Sequence, residues 1–136
     1  MYDTLKQDII NVSKEIGIDK IGFTSAEPFD HLKASLLEQK ENKHTTGFEH
    51  QNIDERLYPE LIFDQPKSII SIAIAYPSRM NSRPEKIRGE KRGKFARASW
   101  GTYYHNILKD RMEKLIDKIK ELGDNIPELT FKPMVD

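Results

Sequence analysis

The run from Ile69 to Tyr76, apolar except for Ser71, is the longest near-continuous hydrophobic stretch in the sequence and the feature that most narrows its fold. It has the length of a strand, far below the roughly 20 residues that span a bilayer. Rich in Ile and Ala, it suits burial on both faces, as in the central strand of a sheet covered by helices. Lys67 and Ser68 lead into it and Pro77 ends it, so the strand is expected from Ser68 to Tyr76.

The rest of the chain supplies covering helices. Tyr2, Leu5, Ile9, Val12 and Ile16 recur at the helical period, and Gly17 stands where a left-handed C-terminal cap belongs. Ile18 to Phe23 then reads as a short strand broken by Thr24 to Pro28. Asp30 is placed to cap a second helix carrying Leu32, Leu36 and Leu37. Residues 49–66, with Pro59 and Pro66 among the anchors Leu57, Leu61, Ile62 and Phe63, predict short helical turns. Helical spacing returns from Ile107 to Leu122, stopped at Gly123, with Thr102 as a candidate N-cap. Leu129 to Val135 reads as a last strand, bent or at an edge because of Pro133. Helices alternating with strands give an α/β class. Three strands are few, and the last ends beside the final residue, so the fold is expected to be completed only in part by these 136 residues.

Charge and composition exclude several functions. Lys plus Arg and Asp plus Glu each number 22, so no global field draws the chain onto a polyanion and any such site must be local. Cysteine is absent, which removes disulfides, thiolate catalysis, Cys-ligated zinc and a self-contained iron-sulfur cluster from these residues. His31, His44, His50 and His105 have no metal-ligand spacing, so no metal site is expected. The start Met1-Tyr2-Asp3-Thr4-Leu5 has neither a basic leader nor an apolar signal core, and a cytoplasmic protein without membrane attachment is expected.

Three features are able to carry chemistry. Arg79, Arg83, Lys86, Arg88, Lys91, Arg92, Lys94 and Arg97 set eight positive charges against Glu85 and Glu90 in one long loop. Such a loop can neutralise phosphates of RNA or of a cofactor tail, and it also fits a solvated loop with no ligand. Arg97 to His105 gathers the only Trp, two Tyr, a His and an Arg around Gly101, planar groups that suit either stacking on a flat ligand or anchoring a helix start. Asp136 follows an apolar segment, where burial would raise a carboxyl pKa toward a proton donor's, although a terminal Asp is ordinarily solvated.

Taken in order, Ile18 to Phe23, Glu55-Arg56-Leu57 with Pro59, Lys67 to Pro77, Ala96 to Gly101 with Tyr104-His105, and Met134-Val135-Asp136 resemble the N-terminal part of epoxyqueuosine reductase. The resemblance runs along almost the whole chain. It implies a cytoplasmic enzyme that uses cobalamin and two 4Fe-4S clusters to reduce epoxyqueuosine to queuosine at the wobble position of tRNA, fed by an electron donor. It also implies a nitroreductase-like α/β sandwich, with 1–136 as the N-terminal cobalamin-binding segment. Asp136 takes the place of the family's proton donor beside the cobalamin, Arg56 and Ala96 match cobalamin-contacting positions, and Arg97, Tyr104 and His105 flank them. The family's usual Asp before Tyr-His is Tyr103 here. Cluster ligands and the tRNA-binding region would lie beyond Asp136, so the segment alone is expected to be inactive. Two other readings stand beside this one: a related cobalamin- or flavin-binding reductase with another substrate, and a non-enzymatic RNA-binding module using the basic loop.

Overall fold

The computed structural model describes residues 2–76, 79, 81–82, 85–124, 126 and 129–135. Helix α1 (Tyr2–Glu15) leads into strand β1 (Lys20–Ser25), followed by α2 (Lys33–Glu41), α3 (Ile53–Leu57), strand β2 (Ser68–Ala73) and α4 (Tyr104–Leu122). Short 3-10 turns lie at Asp30–Leu32, Pro59–Leu61 and Arg97–Ser99. Two compact units emerge, Met1–Ile21 with Ile72–Asp136, and Gly22–Ser71.

In the first unit α1 packs on α4. Ile9, Ile18, Leu115 and Ile119 form its buried apolar core, and the buried Ser13 hydroxyl is satisfied by donating to the Ile10 carbonyl at 2.8 Å. The predicted glycine stop of α1 is present. The Ile18 N–H donates to the Ser13 carbonyl at 2.9 Å and the Gly17 N–H to the Lys14 carbonyl at 3.1 Å, with Gly17 at φ +82°. That is a Schellman cap, and it draws Ile18 into the core as its apolar closing residue. The strand therefore starts at Lys20, two residues after the predicted Ile18. Gly123 closes α4 for a different reason: a Cβ there would lie 2.7 Å from Leu129 Cδ1 and 3.0 Å from the Ile119 carbonyl oxygen.

In the second unit Leu57 is fully buried and Ala26 nearly so. Asn52 caps α3, its side-chain oxygen accepting from the N–H groups of Asp54 and Glu55. The short turns expected over 49–66 are there. Asp30, however, caps nothing, because its carboxylate accepts the Tyr58 hydroxyl proton at 2.8 Å instead.

β1 and β2 form a two-stranded sheet. It is antiparallel, since the Asp19 N–H donates to the Ala73 carbonyl at one end and the Ala26 N–H to the Lys67 carbonyl at the other. The α/β class holds in its coarse form, with three differences, the first being that β2 stops at Ala73, short of the expected Tyr76. β2 is not buried on both faces: its residues are exposed or half-buried, with Ile69, Ile70 and Ile72 the half-buried ones. Residues 129–135 form no strand. Pro133 has no N–H to give a ladder, and no strand beyond β1 and β2 is present among the described residues to pair with that segment.

Candidate functional site

Backbone geometry shapes the basic loop before its charges act. The Glu90 N–H donates to the Ile87 carbonyl at 3.2 Å across a turn whose third residue, Gly89, sits at φ +94°, a conformation that favours glycine. Arg92 closes the loop on itself. Its Nη2 and Nε donate to Glu90 Oε2 at 2.8 and 3.1 Å, and its Nη1 donates to the Glu85 carbonyl at 2.8 Å. Lys86, Ile87, Arg88, Glu90 and Arg92 line a shallow open concavity. Among the described residues, Lys86, Arg88, Lys91 and Lys94 make no side-chain ion pair or hydrogen bond. Arg83 lies outside the described residues.

The loop enters α4 through the turn Arg97–Ser99, in which the Ser99 N–H donates to the Ala96 carbonyl at 2.9 Å. The Trp100 indole N–H donates back to the Phe95 carbonyl at 3.2 Å and Gly101 turns at φ +84°. Thr102 is not the cap; Tyr103 holds that position and makes no side-chain capping bond. Its ring instead stacks on His105, centroids 4.7 Å apart and planes 15° from parallel, with Tyr104 4.3 Å from the imidazole. Ala96 and Arg97 are exposed, His105 is half-buried, and His105 Nδ1 is buried with no hydrogen-bond partner among the described residues. Four of the expected site residues, Ala96, Arg97, Tyr104 and His105, thus share one turn and helix start.

Arg56 belongs to the second unit, on α3 beside the buried Leu57. Its side chain is half-buried and its guanidinium has no hydrogen-bond or ion-pair partner among the described residues. Nearby, Lys33 Nζ lies 3.1 Å from Asp54 Oδ1, and this hydrogen bond and charge raise the Lys33 pKa. The bond to Asp30 likewise pushes the Tyr58 phenol above its ordinary value. Asp136 lies outside the described residues.

A feature not anticipated is the Glu49 carboxylate, which accepts from the Thr46 N–H at 2.8 Å and the Gly47 N–H at 2.9 Å. These donors, Thr46 first, take its pKa down to about 2. The signal was present as Thr46-Gly47-Phe48-Glu49, the Thr-x-x-Glu spacing of a capping box, here formed without a helix to follow. It presents Phe48 almost wholly to solvent.

The unpartnered Arg56 guanidinium is a phosphate or amide ligand in waiting, and an orphaned ring nitrogen at His105 gains from any polar partner. No group of three or more His, Asp or Glu is placed to hold a metal among the described residues. An iron-sulfur cluster finds no thiolate anywhere in the 136 residues. No helix of the described residues is long and apolar enough to cross a membrane.

A chain of this α/β class has counterparts among proteins described as epoxyqueuosine reductases. Residues 56–136 match the family described as Epoxyqueuosine reductase QueG, DUF1730, and the chain belongs to that family. It is 48% identical over 135 residues to an epoxyqueuosine reductase of Bacillus anthracis, covering 99% of this chain and 35% of that protein. Two solved structures superpose with TM-score 0.79 at 46% identity, each over 87% of this chain and 32% of theirs. One is epoxyqueuosine reductase from Bacillus subtilis with an aspartate catalytic loop swung out of the active site. The other is an epoxyqueuosine reductase with an epoxyqueuosine-modified tRNA-Tyr stem loop. The chain spans about a third of the length of these relatives.

Proposed function

We propose that this chain is the N-terminal, cobalamin-binding segment of an epoxyqueuosine reductase that acts on tRNA in the cytoplasm, part of a nitroreductase-like α/β sandwich. The observation that carries the reading is the 48% identity sustained over 135 residues, 99% of the chain. A solved relative with an epoxyqueuosine-modified stem loop supports the substrate, and one described by its aspartate catalytic loop supports Asp136 as the corresponding carboxyl.

The reaction removes the epoxide oxygen. Two electrons and two protons enter, both C–O bonds break, a C=C bond forms and water leaves. Asp136 gives a proton to the oxygen as the first C–O bond opens, so that no free alkoxide forms. Arg56, Ala96, Arg97, Tyr104 and His105 would hold the cofactor: Arg56 and Arg97 through charge-assisted hydrogen bonds, Ala96 through its small side chain on extended backbone, and Tyr104 and His105 through their rings. Cobalamin, when bound, supplies the low-potential electron chemistry, and in the family's scheme two 4Fe-4S clusters held outside these residues relay electrons from a separate donor.

Titration with cob(II)alamin, followed by its visible spectrum, tests the cofactor assignment. A saturable spectral shift that weakens in Arg56→Ala and Arg97→Ala is expected. An unchanged spectrum at all protein concentrations contradicts it.

A further inference from the structure

We propose that the loop from Glu85 to Lys94 grips the sugar-phosphate backbone of the RNA substrate, with Lys86, Arg88, Lys91 and Lys94 as the phosphate contacts and Arg92 as the residue that positions them. This rests on the reading of tRNA as substrate and adds where the backbone is held. Across these ten residues five positive charges face two negative ones, a local excess of three in a chain whose total is zero. Elsewhere several cations are matched, Lys33 with Asp54, Arg111 and Lys114 with Asp110, and Lys118 with Glu121, while others, Arg56 among them, stand singly rather than in a cluster. In the loop both acidic residues serve Arg92, Glu90 through its carboxylate and Glu85 through its backbone carbonyl. The other four cations are left exposed and unpaired among the described residues.

Like charges this close repel, and an open loop would spread them apart. The Glu90–Arg92–Glu85 clasp and the turn at Gly89 hold them on one short curved segment instead. Holding cations together in advance is useful when the partner is itself a row of anions, because each neutralised phosphate releases condensed counterions. A single phosphate, such as that of a cofactor tail, would engage only one or two of the four.

The test is the salt dependence of binding of an anticodon stem loop to the protein that carries this chain, measured by fluorescence anisotropy with the unmodified and the epoxyqueuosine-bearing RNA. Combined Lys86→Gln, Arg88→Gln, Lys91→Gln and Lys94→Gln should lower the slope of log K against log salt by roughly three, equally for both RNAs. Arg92→Ala should lower it by more than the one unit its own charge explains, and Arg92→Lys, which lacks the forked donors, should restore it only in part. Combined Lys14→Gln, Lys40→Gln and Lys109→Gln should leave it unchanged. An unaltered slope in the quadruple loop variant overturns the inference while leaving tRNA as substrate standing. Loss of cob(II)alamin binding in that variant with the RNA slope intact overturns it in favour of the cofactor tail. Failure to bind either RNA at low salt overturns the substrate reading and the inference with it.

Discussion

The imidazole of His105 stacks on the ring of Tyr103 at 4.7 Å while its Nδ1 is buried without a hydrogen-bond partner among the described residues. One face of the ring is satisfied and one edge is not. Tyr103→Ala removes the stack from a largely exposed position and is expected to cost about 0.5–1 kcal/mol of stability in chemical denaturation. The same change should weaken cob(II)alamin binding severalfold, since the imidazole loses the surface that orients it. Wild-type affinity in Tyr103→Ala would remove this stack from the cofactor site.

Glu49 defines a pH window. Its carboxylate is held down to about 2 by the N–H group of Thr46 first and then its own, with smaller help from the Thr46 hydroxyl and the Gly47 N–H, against an ordinary value near 4.5. A depressed pKa stabilises the loop fully above the unfolded value, and the benefit is lost as pH falls from there through the folded one. The carboxyl carbon shift of Glu49 should therefore stay flat from pH 7 to 5 and titrate with a midpoint near 2. Titration near 4.5 would mean that the loop does not hold in solution, and Glu49→Gln should abolish the protection of the Thr46 amide at every pH.

Gly123 is required by space. Gly123→Ala puts a methyl 2.7 Å from Leu129 Cδ1 and 3.0 Å from a backbone oxygen, and should destabilise by about 1–3 kcal/mol. Gly93→Ala, with nothing within 4 Å and no left-handed backbone, should be neutral or slightly stabilising. Equal denaturation midpoints for the two variants would contradict the close approach of 129 to the end of α4.

These contrasts show what local sequence carries and what it leaves to tertiary context. The end of α1 was legible because Gly17 is the only residue type there that takes φ +82° cheaply, and α4 was legible from its spacing up to Gly123. Asp30 and Thr102 were misjudged as caps. Asp30 finds a better donor in Tyr58, 28 residues away, and Tyr103 rather than Thr102 sits at the boundary of α4. Ile18 carries strand-like chemistry but closes a helix cap, which shifts β1 by two residues. Apolar content suggested that β2 is central and that 129–135 is a strand; neither follows, because strand burial and pairing depend on neighbours that composition cannot supply. Of the site, the grouping of Ala96, Arg97, Tyr104 and His105 followed from adjacency. The Arg92 clasp did not, since nothing in the spacing distinguishes Arg92 from the other cations of the loop.

The absence of thiolates gives a further expectation. These 136 residues alone, loaded with cobalamin and given a chemical or flavodoxin reductant, should convert no epoxyqueuosine, because no cluster relays electrons within them. Nucleoside analysis that detected queuosine above the protein-free control would show that cobalamin in this segment is reduced directly.

Asp136 carries the central claim, and nucleoside mass spectrometry of an epoxyqueuosine stem loop incubated with the protein that carries this chain tests it most directly. Wild type is expected to form queuosine, and Asp136→Asn to lose about 100-fold or more in rate while keeping the cob(II)alamin spectrum of the wild type. Undiminished queuosine formation by Asp136→Asn, or none by the cobalamin-loaded wild type, would contradict the account.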